Sequence, residues 1–144
     1  MLTRTDCPLV PELYCTDLRT SLLFYCDILG FAVEYQRPED GFAFIAREGA
    51  RLMLEIIHQG SERTWLPAPL ERPFGRGINL QITIKQVDDL YAAVKAAGIP
   101  IFWPLEEKWY RTTSGHVGNR QFVIQDPDGY LLRFAQDLGA RLGD

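Results

Sequence analysis

The first stretch with a clear hydrophobic pattern is 9–15, where apolar and other residues alternate with a period of two and predict a strand. Apolar positions then recur at helical spacing over 18–29, which predicts a helix. Asp17 precedes this stretch as an N-cap, and Gly30 follows it as a terminal glycine. Three more strands are predicted at 31–36, 42–47 and 51–57. The first half therefore has the order β-α-β-β-β.

The same order of elements repeats in the second half. Alternation predicts a strand at 78–84, and helical spacing predicts a helix at 87–98 that ends at a glycine. Further strands are predicted at 99–103, 120–125 and 130–136, with an irregular loop at 104–119. DPDG at 126–129 predicts a tight turn, because proline fixes φ and glycine permits positive φ. We interpret the chain as a tandem repeat with a first module at 9–57, a linker loop at 58–76 and a second module at 77–136.

Each predicted sheet has one helix, which covers only one of its faces. The positions on the expected helix side are apolar: Leu13, Leu54, Ile56, Leu80, Ile82, Ile84, Phe122 and Ile124. The positions on the opposite faces are mostly polar: Glu12, Tyr14, Met53, Glu55, Asn79, Gln81, Thr83, Gln125 and Arg133. We predict a single α+β domain over 1–144, in which two βαβββ modules form a curled mixed sheet around a shared cleft. Strands half exposed to bulk water would give the same alternation.

Composition narrows the classes of partner. The chain has 144 residues, 47% hydrophobic and 24% charged, which is enough to bury a core without disulfides or metal. A net charge of −4 argues against nucleic acid and suits a neutral or cationic small molecule. No apolar run approaches the roughly 18 residues of a membrane span, and no signal peptide is recognised. Cys7, Cys15 and Cys26 match neither a zinc motif nor a disulfide framework, which favours reduced, structural thiols and a cytoplasmic location.

Several segments together resemble the vicinal oxygen chelate superfamily, which includes glyoxalase I, extradiol dioxygenases and bleomycin-resistance proteins. They are TDLRTSLLFYCDILGFAVEY, LMLE, VDDLYAAVKAAGI and NRQFVIQDPDGYLLRF, and they span most of the chain from Val10 to Ala135. The branch that the chain is most similar to is the bleomycin-resistance-like one. The resemblance implies the paired-module fold described above and a homodimer with its ligand groove at the subunit interface.

In the metal-using branches the resemblance also implies four ligand positions, which fall here on Val10, Glu55, Asn79 and Arg133. Valine has no donor atom, asparagine offers a neutral oxygen, and arginine carries a permanent positive charge that repels a cation. Because a zinc, nickel or iron site needs three or four converging ligands, we expect no metal and no cofactor. A site assembled from Glu12, Glu55 and His58 or His116 is the remaining alternative.

The residues expected to contact a ligand are Glu12, Tyr14, Glu55, Asn79, Gln81 and Arg133 as a polar floor, with Trp109 and Tyr110 as a stacking wall. The wall belongs to the segment IFWPLEEKWYR, where aromatic rings adjoin Glu106 and Glu107 and suit a planar cation. Arg133 is predicted to pair with Glu55 or Glu12 where the related enzymes hold a cation.

The expected function is metal-independent binding and sequestration of a drug-like, cationic small molecule by a homodimer, without nucleic acid or membrane partners. The alternative is a divergent glyoxalase-type lyase or isomerase, or a dioxygenase-like enzyme. In that alternative Glu55 is the catalytic base, and Arg133 or Asn79 holds an enolate oxygen.

Overall fold

The computed structural model describes residues 7–58 and 63–143. This part of the chain forms two α-helices and eight strands arranged in two four-stranded sheets, and it divides into two compact units. The first unit holds the described residues up to Arg76 together with Pro127–Gly129, and the second holds the remainder. The α+β class and the repeated βαβββ order are confirmed. No helix among the described residues is long and apolar enough to cross a membrane.

The first unit contains one mixed sheet. Its elements are β1 (Glu12–Cys15), α1 (Leu18–Leu22), β2 (Ala32–Arg37), β3 (Phe42–Arg47) and β4 (Ala50–Ile56). The strand order is β1-β4-β3-β2, with β1 parallel to β4 and the other pairs antiparallel. The parallel pairing requires a crossover, which the helix provides.

The first helix begins as predicted but changes its winding. The Asp17 carboxylate accepts a hydrogen bond from the Thr20 amide at 3.2 Å, which confirms the N-cap. Regular α-helix then gives way to a π-helical segment, Leu23–Ile28, before the chain turns at Gly30 with φ of 76°. The wider turn places Phe24 and Tyr25, which are consecutive, in the core, where their rings meet edge to face at 5.3 Å.

The second unit repeats the plan with longer strands. Its elements are β5 (Asn79–Thr83), α2 (Val87–Ala96), β6 (Ile101–Arg111), β7 (Gly115–Gln125) and β8 (Leu131–Leu142). The strand order is β5-β8-β7-β6, which is equivalent to the order of the first sheet. The helix ends before Gly98, whose φ of 75° confirms its predicted terminal role.

The predicted loop at 104–119 is wrong, because most of it is β-hairpin. Strands β6 and β7 pair from Ile101 to Arg111 and leave only 112–114 between them. Pro104 is tolerated because β6 lies at the sheet edge, and the register shifts between Trp103 and Glu106. Strand β8 also continues to Leu142, past the predicted end of the second module at 136.

Most of the predicted helix-side residues lie in the core. Six of the eight are buried: Leu13, Leu54, Ile82, Ile84, Phe122 and Ile124. Ile56 and Leu80 are partly exposed. Cys15 is buried as predicted, whereas Cys26 is partly exposed. The period-two pattern therefore identified the buried face of each sheet.

A buried carboxylate organises the loops of the first unit. Asp128 is 1% exposed and accepts hydrogen bonds from Thr16 Oγ1 at 2.7 Å and from the Thr16 amide at 3.2 Å. Arg72 Nη2 donates to the same carboxylate at 2.8 Å, and the Phe74 amide donates to the Asp128 carbonyl at 2.9 Å. The DPDG turn therefore fixes the end of the linker as well as joining two strands.

Candidate ligand-binding site

The open face of the first sheet brings together the polar residues predicted on β1 and β4. In the parallel register Glu12 lies beside Met53 and Tyr14 lies beside Glu55. Because side chains alternate along a strand, these four project from the face opposite buried Leu13. The predicted first-half part of the polar floor is thus a real cluster within this unit.

Glu12 and Glu55 interact directly in this cluster. Burial raises the pKa of the Glu12 carboxyl, and the neighbouring charge of Glu55 and a hydrogen bond with Glu55 raise it further, against the opposing effect of Arg37. His58 Nε2 lies 3.4 Å from Glu55 Oε1. A hydrogen bond between two carboxyl groups requires a proton on one of them, so the pair is suited to holding one proton or meeting one cation.

Tyr14 is buried and connects β1 to the linker. Its hydroxyl accepts a hydrogen bond from the Trp65 amide at 3.0 Å and lies 3.5 Å from Thr64 Oγ1. Trp65 itself is 61% exposed. Tyr14 therefore fixes the position of the linker at Thr64 and Trp65, beside the open face.

A cavity of about 510 Å³ opens on the first unit. It is lined by Cys7, Pro8, Val10, Glu34, Tyr35, Phe44, Arg51 and Met53. The rings of Tyr35 and Phe44 stack with centroids 5.1 Å apart, and buried Arg51 holds Glu34 at 3.5 Å. Sequence reasoning missed Tyr35, Phe44 and Arg51. Strand β3 is apolar on both faces, so periodicity could not show which of its residues are available.

The open face of the second sheet carries the remaining polar floor. Asn79 and Gln81 project from β5 and are exposed, and Arg133 on β8 lies beside Gln81 in the register. The Nε of Arg133 is buried and has no hydrogen-bond partner among the described residues. Its predicted pairing with Glu55 or Glu12 stays a prediction.

A hydrogen-bond network on this face was not predicted. Buried Gln121 donates from Nε2 to Glu106 Oε1 at 3.2 Å and to the Tyr110 hydroxyl at 2.6 Å. Its Oε1 accepts from Asn119 Nδ2 at 3.3 Å. The sequence signal is a glutamine flanked by core residues in RQFVIQ, but its partners lie within 104–119, where the pattern predicts a loop.

Trp109 and Tyr110 do not form one wall, because consecutive strand residues project from opposite faces. Tyr110 joins Gln121 on the polar face. Trp109 lies on the other face, where its ring covers Gly118 and Arg141 stacks on it at 3.8 Å from the ring centroid. Only Tyr110 accompanies the predicted polar floor.

The four positions that correspond to metal ligands do not suit a metal ion. Val10 lines the cavity without a donor atom, Asn79 is neutral, and Arg133 is cationic. Glu55 is the single anionic member and already interacts with Glu12 and His58. In the described ranges no group of three or more histidine, cysteine, aspartate or glutamate side chains is placed to hold a metal.

The family follows from a match that spans most of the chain. The model of the Glyoxalase/Bleomycin resistance protein/Dioxygenase superfamily matches residues 9–134. The chain belongs to this superfamily. Bleomycin resistance proteins from Geobacillus stearothermophilus and Staphylococcus aureus are 29% identical to it over 140 residues, covering 90% of this chain and 96% of theirs. The similarity therefore extends over both modules.

Solved structures show the same fold. TioX from Micromonospora sp. ML1 superposes with a TM-score of 0.70 at 23% identity, covering 90% of this chain and 98% of that one. A protein of unknown function from Agrobacterium tumefaciens str. C58 gives a TM-score of 0.68, also at 23% identity, covering 89% of this chain and 91% of its own. At this identity the likeness concerns the superfamily fold alone.

Proposed function

We propose that this protein binds a cationic, drug-like small molecule without a metal ion and acts by sequestering it. The observation that carries the proposal is the near full-length similarity to bleomycin resistance proteins, at 29% identity. The chemistry of the site supports it, because both open faces carry acidic and aromatic side chains and the positions that correspond to metal ligands lack suitable donors. Such groups contact an organic cation through charge and ring stacking.

Each unit has its own set of proposed contacts. From the first unit they are Glu12, Tyr14 and Glu55, and from the second they are Asn79, Gln81, Tyr110 and Arg133. Trp109 is assigned instead to packing within the hairpin, against Gly118 and Arg141. We further propose that the active form is a homodimer with its groove at the subunit interface. Light scattering coupled to size-exclusion chromatography measures the molar mass in solution and so tests whether the protein is a dimer.

Isothermal titration calorimetry with metal-free bleomycin tests the proposal. Binding at one molecule per chain, unchanged by EDTA, is the expected result. At a hundredfold excess over Kd, the ligand adds about 2.7 kcal/mol to the free energy of unfolding. If millimolar bleomycin gives neither a heat of binding nor a shift of the unfolding temperature, this class of ligand is excluded. Affinity that appears only after one equivalent of a divalent metal is added would contradict metal independence.

Matched substitutions locate the site. Glu55→Gln and Arg133→Met remove one charge each from the proposed floor. Glu55→Gln should weaken bleomycin binding by about tenfold or more, since a charge-assisted contact with the cation is lost, and Arg133→Met should change the affinity because the guanidinium is a proposed contact. Glu39→Gln and Arg19→Met remove the same charges from exposed positions outside the proposed contacts. If each floor variant binds bleomycin with the same affinity as its control variant, the ligand binds elsewhere.

The catalytic alternative rests on the Glu12 and Glu55 pair, because a carboxyl with a raised pKa beside a second carboxyl is suited to proton transfer. A lyase or isomerase would turn over the hemithioacetal of methylglyoxal and a thiol, and Glu55→Gln would abolish that turnover. Turnover at the same rate in Glu55→Gln and wild type would exclude Glu55 as the base.

A further inference from the structure

Two consecutive glutamates of β6 differ in their surroundings. Glu107 projects toward the side that carries α2, where Arg120 lies 3.9 Å from it and also pairs with Asp88 at 2.7 Å. Glu106 projects from the open face with Gln121 and Tyr110. Among the described residues no cation lies within ion-pair distance of Glu106. The charge of Glu107 is thus compensated by a direct partner, and that of Glu106 is not.

The carboxylate of Glu106 is held in place by neutral donors. Gln121 must present its amide nitrogen to Glu106, because an ionised carboxylate only accepts hydrogen bonds. Asn119 donates to the Gln121 oxygen and so fixes the same orientation from the other side. Gln121 is only 4% exposed, which limits its movement. A buried amide therefore fixes the direction of this carboxylate.

The indole of Trp103 supplies a second donor to Glu106. Its hydrogen bond is the main cause that lowers the pKa of the Glu106 carboxyl, followed by the hydrogen bond from Gln121 and, at longer range, the charge of Lys108. Trp103 is 52% exposed, so the carboxylate lies beside an accessible aromatic ring. A fixed anion next to an open ring is the arrangement that attracts an ammonium or amidinium group.

We infer that Glu106 contacts the cationic group of the ligand, and that Gln121 and Trp103 are positioning residues for its carboxylate. The inference rests on the proposed function and adds to it the anionic contact on the second unit. It also explains why the buried position 121 carries a glutamine. An apolar residue there would leave the direction of Glu106 unset, whereas the amide fixes it.

The neighbouring glutamate provides a matched control. Glu106→Gln and Glu107→Gln remove the same charge from adjacent residues on opposite faces. We would measure calorimetric Kd values for metal-free bleomycin and for benzyltrimethylammonium, a simple aromatic cation. Glu106→Gln is expected to weaken binding of either cation by about tenfold or more, and Glu107→Gln by less than about twofold. The affinity of wild type should fall as salt is raised.

A pH profile tests the positioning role. The charged or titratable groups that share this face are Lys108 and Tyr110 on β6 and Arg133 and Asp137 on β8, while β7 contributes none. Removing the indole donor with Trp103→Phe should raise the pKa of Glu106. When the pH is lowered, Trp103→Phe should therefore lose cation binding at a higher pH than wild type does. An unchanged profile in Trp103→Phe would overturn the positioning role.

The outcomes separate the inference from the proposed function. If wild type binds bleomycin and Glu106→Gln binds it as well as Glu107→Gln does, the inference fails and the proposed function stands. If wild type binds benzyltrimethylammonium through Glu106 but not bleomycin, the inference stands and bleomycin is excluded as the ligand. If wild type binds neither cation, both are overturned.

Discussion

The carboxyl groups of Glu12 and Glu55 project from one face of the first sheet, and Glu55 raises the pKa of Glu12. They come from parallel strands, β1 and β4, which are separated in sequence by a helix and two other strands. Two neighbouring carboxylates repel each other when both are ionised. The pair therefore makes the free energy of unfolding depend on pH.

Glu12→Gln should remove much of that dependence. The folded-state pKa of Glu12 lies above its ordinary value of 4.5, so the folded protein binds the proton more tightly than the unfolded chain does. The contribution is complete below pH 4.5 and is lost as pH rises through the folded-state pKa. Urea denaturation between pH 4 and pH 8 should show wild type losing stability relative to Glu12→Gln. Parallel curves for the two proteins would contradict the raised pKa of Glu12.

Asp128→Ala should destabilise the fold more than any exposed carboxylate change does. It removes a buried acceptor with three bonds from Thr16 and Arg72, at an expected cost of about 2–4 kcal/mol. Asp40→Ala is the control, since its pair with Arg37 is about half exposed and should contribute under about 1 kcal/mol. Chemical denaturation measures both, and similar losses would show that the Asp128 contacts add little.

Tyr14→Phe should loosen the linker without disturbing the sheet. The hydroxyl that accepts from the Trp65 amide disappears while the ring stays, at an expected cost of about 1 kcal/mol. Hydrogen exchange followed by NMR should show faster exchange of the Trp65 amide, with β1 amides little changed. Tyr35→Phe is the control, because that ring is half exposed. Unchanged exchange at Trp65 would contradict the role of the hydroxyl.

Gly118→Ala should displace the Trp109 ring. A Cβ at this position would lie 2.7 Å from three ring carbons, so the ring must shift and its stacking with Arg141 must change. The expected cost is about 1–3 kcal/mol, as for overpacking elsewhere. In a Trp109→Ala background the same substitution should be nearly neutral, and a double-mutant cycle measures the difference. Equal costs in both backgrounds would show that the ring is not the obstacle.

The sequence predicted what local chemistry determines. Asp17 caps the first helix and Gly30 and Gly98 adopt positive φ because each requirement is met within a few residues of the chain. The buried faces of the strands were also predictable, since a period of two is enough to separate Leu13 from Glu12. These features gave the fold and the first-half part of the candidate site.

Long-range register could not be predicted. Pro104 and the glycines of TSGHVG interrupt the alternation, so the pattern predicts a loop where β6 and β7 form a hairpin. Without that hairpin, Gln121 had no visible partners, and Trp109 and Tyr110 could not be assigned to different faces. The missed part of the site depends on which residues two strands bring together, and periodicity within one strand does not contain that information.

Past the register shift at Pro104, the side chains of β6 differ in their surroundings according to the face of the sheet from which they project. Along β6, Glu106 and Tyr110 project from the open face, whereas Glu107 and Trp109 contact neighbouring side chains and backbone on the other face. Substitutions at positions 106 and 110 therefore leave the contacts of positions 107 and 109 in place. Under the proposed function, ligand specificity can therefore change on one side of this hairpin without disturbing the packing on the other.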